Sequence, residues 1–179
     1  MMNENKMDGL LGSEPFIENL NDDLLLAMEG RWYLQFSGCP LWQKSGIHTV
    51  SFNFHIRHKG EDLVLEDRVE YIKNGKMRFR LGFDYPVEGI RNTFKWKGKG
   101  ANRTFRNHFE VTIINERFMV LFFEKTLTSP TSIDIVTRAK TITKEMEDEI
   151  YLAVSRNSTL VQYLTDVEKI NHLGAKIRD

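Results

Sequence analysis

Residues 30–33, Gly30-Arg31-Trp32-Tyr33, mark the point where the pattern of the chain changes from helical to extended. Before them, Asp22 and Asp23 precede the apolar run 24–28, and acidic residues favour the first turn of a helix. Gly30 suits the left-handed position that ends a helix. From Trp32 onward, apolar and polar residues alternate with the period of a β-strand. The stretch therefore predicts a short N-terminal helix, or a single 3₁₀ turn, that leads directly into a first strand.

Seven more extended segments follow at short and even spacing. Turn residues separate them, and Asn74-Gly75 is the strongest hairpin signal because both residues tolerate a positive φ. The eight predicted strands cover residues 32–37, 50–57, 63–71, 77–85, 90–97, 105–113, 117–125 and 133–138. Eight strands joined by short turns are typical of a closed, antiparallel up-and-down β-barrel, so the predicted fold is mainly β.

The helical period returns after Arg138. Thr143 is a suitable N-cap, and the apolar residues of 146–154 form one stripe. This C-terminal helix is expected to pack outside the barrel on residues 117–125, which are apolar on both faces. Residues 159–173 favour a helix, and a short ninth strand over 159–163 beside the first strand is the alternative. We therefore expect a flexible segment 1–20, a barrel with flanking helices over 21–157 and a helical extension over 158–179.

The composition excludes several classes of protein. Lysine plus arginine and aspartate plus glutamate both number 25, so no net charge would attract nucleic acid or an anionic membrane. Cys39 is the one cysteine, and no apolar run resembles a signal peptide or a membrane span. No metal-ligand spacing, phosphate loop or nucleophile motif is present. We expect a cytoplasmic monomer or homodimer with no cofactor and no metal, which neither binds nucleic acid nor inserts stably into membranes.

Two motifs resemble those of the lipocalins, which are eight-stranded barrels that carry a small, usually apolar ligand. Gly30-x-Trp32 matches the first motif, and 135–141 with Arg138 near its centre is similar to the third. Residues 115–118 match the second motif in position only, because its Thr-Asp-Tyr is absent. The resemblance covers residues 22–157 and implies a divergent member in which Arg138 packs over Trp32 at the closed end. Fatty-acid-binding proteins are the alternative, but they are shorter and lack the C-terminal helix.

The opposite end of such a barrel, its mouth, is formed by the loops 37–46, 74–75, 98–102 and 128–132. Trp42 in the first loop is either a lid or a rim residue. Inward positions are rich in aromatic side chains, which either line a pocket or fill the interior. The ligand-binding candidates are Trp42, Phe52, Phe54, Tyr71, Phe79, Phe94, Trp96, Phe105 and Asn107.

Asp67, Asn92 and Asn107 interrupt apolar faces. A buried carboxyl group needs a partner or a raised pKa, so Asp67 either bonds Tyr71, Asn107 or a water, or anchors the head group of a ligand. The first functional hypothesis is the binding and carriage of a small hydrophobic molecule such as a lipid or isoprenoid. The alternative is an isomerase-like or cyclase-like enzyme acting on a lipid-like or isoprenoid-like substrate, with Asp67 and Tyr71 as weak catalytic candidates. A filled, structural barrel is the third hypothesis.

A basic stripe, Arg91, Lys95, Lys97 and Lys99, lies on the outer face of the fifth strand. Its simplest interpretation is a solvated surface. Delivery of a lipid to a membrane surface is the alternative.

Overall fold

The computed structural model describes residues 20–173, with side chains from residue 22. Helix α1 spans Leu20–Met28, and helix α2 spans Lys144–Ser155. The strands are β1 Gly30–Ser37, β2 Ile47–Lys59, β3 Asp62–Lys73, β4 Lys76–Pro86, β5 Thr93–Gly98, β6 Arg106–Ile114, β7 Phe118–Phe123, β8 Ser132–Thr137 and β9 Glu168–Lys169. Residues 1–19 of the predicted flexible segment, and residues 174–179, lie outside the described part.

Strands β1 to β8 form a closed barrel. Each strand pairs with the next in antiparallel register, and β1 pairs with both β2 and β8. Trp32 lies opposite Phe52 on one side, and Leu34 lies opposite Val136 on the other. The predicted eight-stranded up-and-down barrel is confirmed.

Helix α1 and Trp32 close one end of the barrel. Leu25, Met28 and Trp32 are fully buried there. The Trp32 indole Nε1 donates a hydrogen bond to the Met28 carbonyl at 2.7 Å. The guanidinium carbon of Arg138 lies 3.6 Å from the centroid of the Trp32 ring, and its Nη2 donates to the Ala27 carbonyl at 2.8 Å. The expected contact between Arg138 and Trp32 is present, and it joins the end of β8 to α1 and β1.

Gly30 permits this contact, and we expect Gly30→Ala to lower the free energy of unfolding by roughly 1–3 kcal/mol. Gly30 has a φ of +102°, and an added Cβ would lie 2.9 Å from Nη1 of Arg138. Gly60→Ala is the control, since Gly60 has a φ of +66° but no atom within 4 Å of the added Cβ. Urea denaturation of both variants should show the larger loss for Gly30→Ala. If both variants lost the same free energy of unfolding, the close packing of residue 30 against the Arg138 side chain would not matter for stability.

Helix α2 covers one outer side of the barrel, as predicted. Ile150 and Val154 pack with Phe118 and Val120 of β7 in a second hydrophobic cluster outside the barrel. The Thr143 hydroxyl accepts a hydrogen bond from the Met146 backbone N–H at 3.2 Å, so Thr143 is the N-cap. Strand β7 is therefore buried on both faces, with Met119 and Leu121 on the inner side.

The predicted helix over residues 159–173 is wrong. Val161–Tyr163 forms one 3₁₀ turn, and β9 then pairs with β1. The chain continues between β1 and β2, where the Ile170 N–H donates to the Gln35 carbonyl at 2.8 Å and the Thr49 N–H donates to the Asn171 carbonyl at 2.7 Å. Pairing of β1 with β2 ends at Tyr33 and Ser51, so the segment satisfies backbone groups that would otherwise be unpaired. The alternative of a ninth strand was correct in kind, but it placed the strand at 159–163.

Candidate ligand-binding site

A cavity of about 350 Å³ opens at the end of the barrel opposite Trp32. Its inner wall is apolar and includes Phe52, Phe54, Val69, Phe109 and Leu121. Its rim comes from the loops 38–46, 99–105 and 124–131. The cavity shows that the interior is not completely filled. The barrel is not an open channel either, because α1 closes the far end.

Trp42 folds inward from the first rim loop. It is 6% exposed, and its ring packs edge-on against Phe52 and Tyr71, with ring centroids 6.5 and 5.3 Å apart. Trp42 thus forms part of the cavity wall near the rim. A lid movement of this loop stays a prediction.

The structure brings together six of the nine ligand-binding candidates and separates three. Trp42, Phe52, Phe54, Trp96, Phe105 and Asn107 line the cavity. Tyr71 packs behind Trp42, and Phe94 is buried in a stack on Phe109 with ring centroids 5.3 Å apart. Phe79 lies on the outer surface. The binding role of the six lining residues stays a prediction.

The prediction that Phe79 lies on the inward face of β4 is wrong. Met77 and Phe79 are exposed, whereas Gly82 and Asp84 are buried and Arg80 lines the cavity. Alternation shows that a strand has two faces but does not show which one is inside. Cations cover the aromatic rings on the outer face of β4. Nζ of Lys59 lies 3.7 Å from the centroid of the Phe83 ring, and the guanidinium carbon of Arg68 lies 4.2 Å from the centroid of the Phe79 ring. These cations allow aromatic residues to occupy the face that meets water.

Gly82 explains why the polar face of β4 turns inward. An added Cβ at this position would lie 2.4 Å from the indole nitrogen of Trp96. Only a residue without a side chain lets the Trp96 ring lie against the β4 backbone. The ring then occupies the inner face of the barrel, and the neighbouring Arg80 and Asp84 are inward by the same parity.

Asp67 is buried at the cavity wall on β3, and its Oδ1 accepts no hydrogen bond. Burial raises its pKa to about 7, while a hydrogen bond from Trp96 and the charge of Arg80 act in the opposite direction. The expected bond to Tyr71 or Asn107 is not found among the described residues, and Asn107 Oδ1 instead accepts from the His108 N–H at 2.8 Å. A catalytic role of Asp67 and Tyr71 stays a prediction.

Two further buried carboxyl groups escaped sequence reasoning. Asp134 on β8 lines the cavity and accepts a hydrogen bond from the Ser37 hydroxyl at 2.5 Å, while burial raises its pKa to about 7. Asp84 is fully buried, neither of its oxygens accepts a hydrogen bond, and burial together with Asp67 raises its pKa well above the usual value. Asp134 had a sequence signal, since it is the one charged residue in the apolar strand 132–137.

Arg80 is the third residue that was missed. It is half-buried and faces the cavity, and its guanidinium carbon lies 5.3 Å from the centroid of the Phe105 ring. None of the six ion pairs among residues 22–173 involves Arg80. The cavity wall thus combines aromatic rings with a cation that forms no ion pair within the described part of the chain.

Other kinds of site have no structural counterpart in the described part of the chain. Among residues 22–173, no three His, Cys, Asp or Glu side chains are grouped so as to hold a metal ion. Neither of the helices described there has the length and apolarity needed to cross a bilayer.

Comparison of the sequence with protein-family models and with curated proteins finds no match. Solved structures do match in fold. Insecticyanin from the tobacco hornworm Manduca sexta has a TM-score of 0.65 and 11% identity over 82% of this chain and 79% of its own. Lobster apocrustacyanin A1 has a TM-score of 0.59 and 11% identity over 85% and 81%. The bovine lipocalin allergen Bos d 2 has a TM-score of 0.56 and 15% identity over 81% and 93%. In its fold, the chain is a divergent lipocalin-like β-barrel.

Proposed function

We propose that the barrel binds and carries a small, mainly apolar molecule that bears one acidic oxygen group. The observation that carries this proposal is the cavity at the mouth, with its aromatic wall and the unpaired Arg80. Its volume of about 350 Å³ lies within the range of roughly 300–1,000 Å³ common for small-molecule sites. Burial of an apolar ligand against Phe52, Phe54 and Leu121 supplies the main favourable term.

Arg80 determines the polar end of the ligand. A guanidinium group near a low-dielectric wall gains from a partner that carries negative charge, and a carboxylate can accept two of its N–H groups. Asp67 meets this need only in part, because its pKa of about 7 leaves it substantially protonated near neutral pH. When protonated, the Asp67 carboxyl can itself donate a hydrogen bond to a ligand oxygen.

Decanoic acid and decanol provide a matched pair of probes, and Trp42 and Trp96 in the cavity wall provide the fluorescence signal. The wild-type protein should bind decanoic acid more tightly. Arg80→Ala is expected to lower the affinity for decanoic acid by about 10-fold or more, because a hydrogen bond to a charged group contributes about 1.5–3 kcal/mol. The affinity for decanol should be nearly unchanged. Arg78→Ala, an exposed arginine on the same strand, is the control.

The possible outcomes separate the two parts of the proposal. Absence of any response to either probe would contradict ligand binding in the cavity. If Arg80→Ala lowers the affinity for both probes equally, binding in the cavity stands, but the assignment of the acidic group to Arg80 is contradicted. No reaction is proposed for this site.

A further inference from the structure

Charge is distributed unevenly along the barrel axis. The segments at the mouth, 38–46, 73–80, 99–106 and 124–131, contain nine lysines and arginines and one acidic residue. The adjoining segment 166–169, which contacts Gln43 and pairs with Ser37, adds one lysine and two acidic residues. The segments at the closed end, 22–29, 59–62, 86–92 and 115–117, contain seven acidic residues and three basic ones. The chain has no net charge, yet its mouth is a basic pole. The expectation from the balanced composition concerned the net charge and did not consider this local excess of cations.

The four mouth segments meet at one end of the structure. The Asn74 N–H donates a hydrogen bond to the Gly46 carbonyl at 2.9 Å, which joins the first two segments. Residues of the first, third and fourth segments line the same cavity. The four segments therefore surround the opening of the cavity and together form its rim.

Apolar side chains project from the same rim. Met77 is 64% exposed, Phe79 54%, Phe105 46% and Leu127 fully exposed. Leu26 and Ile90 are also exposed, but they belong to the closed end, where acidic residues outnumber basic ones. Within the described residues, the mouth thus combines exposed apolar side chains with an excess of cations, whereas the closed end does not.

We propose that the mouth of the barrel docks reversibly on an anionic lipid surface. Lysine and arginine side chains are attracted to the negative head groups, while Met77, Phe79, Phe105 and Leu127 enter the boundary with the acyl chains. In this orientation the cavity opens toward the apolar part of the bilayer. The inference goes beyond the proposed function, since docking depends on the outer rim and its test requires no ligand.

The rim fits a lipid surface better than a nucleic acid. Base stacking needs open aromatic faces. The guanidinium groups of Arg68 and Arg80 already lie over Phe79 and Phe105, at 4.2 and 5.3 Å from the ring centroids. Met77 and Leu127 offer no ring at all. The apolar rim therefore supplies burial in an interface rather than stacking.

Flotation with vesicles tests the proposal. The protein should float with vesicles of phosphatidylcholine mixed with phosphatidylserine, and binding should fall with rising salt because the charges are exposed. Vesicles of phosphatidylcholine alone should bind it much less. A polyuridylate oligonucleotide should not compete with the vesicles.

Two rim variants and one control locate the contact. Each lysine or arginine near such a surface contributes about five-fold in affinity, so Lys76→Glu with Arg78→Glu should weaken binding by at least about 25-fold. Leu127→Ser, at a fully exposed position, should weaken it several-fold. Arg91→Glu with Lys144→Glu makes the same change in net charge away from the mouth and should have little effect. Circular dichroism checks that all variants are folded.

Three results would overturn the proposal. These are equal binding to both kinds of vesicle, equal weakening by the rim and control variants, and displacement from vesicles by the oligonucleotide.

Discussion

Replacement of Trp32 by alanine is expected to lower the free energy of unfolding by about 3–5 kcal/mol, the largest effect of any single change considered. Trp32 is fully buried between α1 and the barrel. The closed barrel around it cannot collapse into the space left by an indole ring. The substitution also removes the hydrogen bond to the Met28 carbonyl and the ring beneath Arg138. Urea denaturation followed by circular dichroism measures the loss.

Two further variants separate the contributions to this loss. Trp32→Phe retains much of the packing but removes the indole N–H, so it should cost less than Trp32→Ala. Arg138→Ala leaves the core intact and removes the cation over the ring, which contributes about 0.5–2 kcal/mol. If the midpoint of urea unfolding were the same for Trp32→Ala and the wild type, the stability of the barrel would not depend on this closed end.

Replacement of Asp134 by asparagine is expected to stabilise the protein increasingly as the pH rises. The pKa of Asp134 is raised from 3.8 to about 7 in the folded state because the side chain is buried. In the folded protein the carboxyl group is held protonated, whereas the unfolded chain ionises above about pH 4. Stability contributed by this group is therefore complete below pH 3.8 and is lost as the pH rises through about 7. Asparagine has no charge to lose and removes this dependence.

The stability of Asp134→Asn relative to the wild type should rise by roughly 4 kcal/mol between about pH 4 and pH 8, since one pKa unit corresponds to about 1.4 kcal/mol. Urea denaturation across this range measures the difference. Asp62→Asn, which replaces an exposed carboxylate, is the control. Its free energy of unfolding should change with pH in parallel with that of the wild type. Parallel curves for Asp134→Asn as well would show that the carboxyl group is not desolvated in the folded protein. Asp67 and Asp84 shift in the same direction, so the wild type itself should lose stability over this range.

Sequence reasoning located the barrel and its closed end. The alternation of the strands, the turn at Asn74-Gly75 and the helix after Thr143 are local patterns, and local geometry decides them. The contact of Arg138 with Trp32 is implied by the resemblance to the lipocalins. The topology allows it, because the first strand begins and the eighth ends at the same end of an up-and-down barrel. Of the six proposed ligand-binding residues at the cavity, Trp42 and Phe105 lie in rim loops. The other four are strand residues whose inward parity was assigned correctly: Phe52, Phe54, Trp96 and Asn107.

Other features of the candidate site depended on contacts between distant segments. The sequence shows the alternation in β4 but not which face is inside. The inward face is decided by the Trp96 ring, which packs against Gly82 and leaves no space for a Cβ there. That choice placed Arg80 and Asp84 inside and Phe79 outside. The Asp134 carboxyl group likewise has its hydrogen-bond partner, Ser37, on a strand from the other end of the barrel sequence.

The sequence alone therefore determined the number and order of the eight barrel strands, helices α1 and α2 and the residues that close the barrel, because period and turn chemistry are properties of neighbouring residues. The tertiary structure decided which face of β4 meets the cavity, where the segment after Tyr163 inserts, and that a chain of zero net charge has a basic, apolar mouth. Each of these depends on free energies of packing, desolvation and charge that arise only when distant parts of the chain meet.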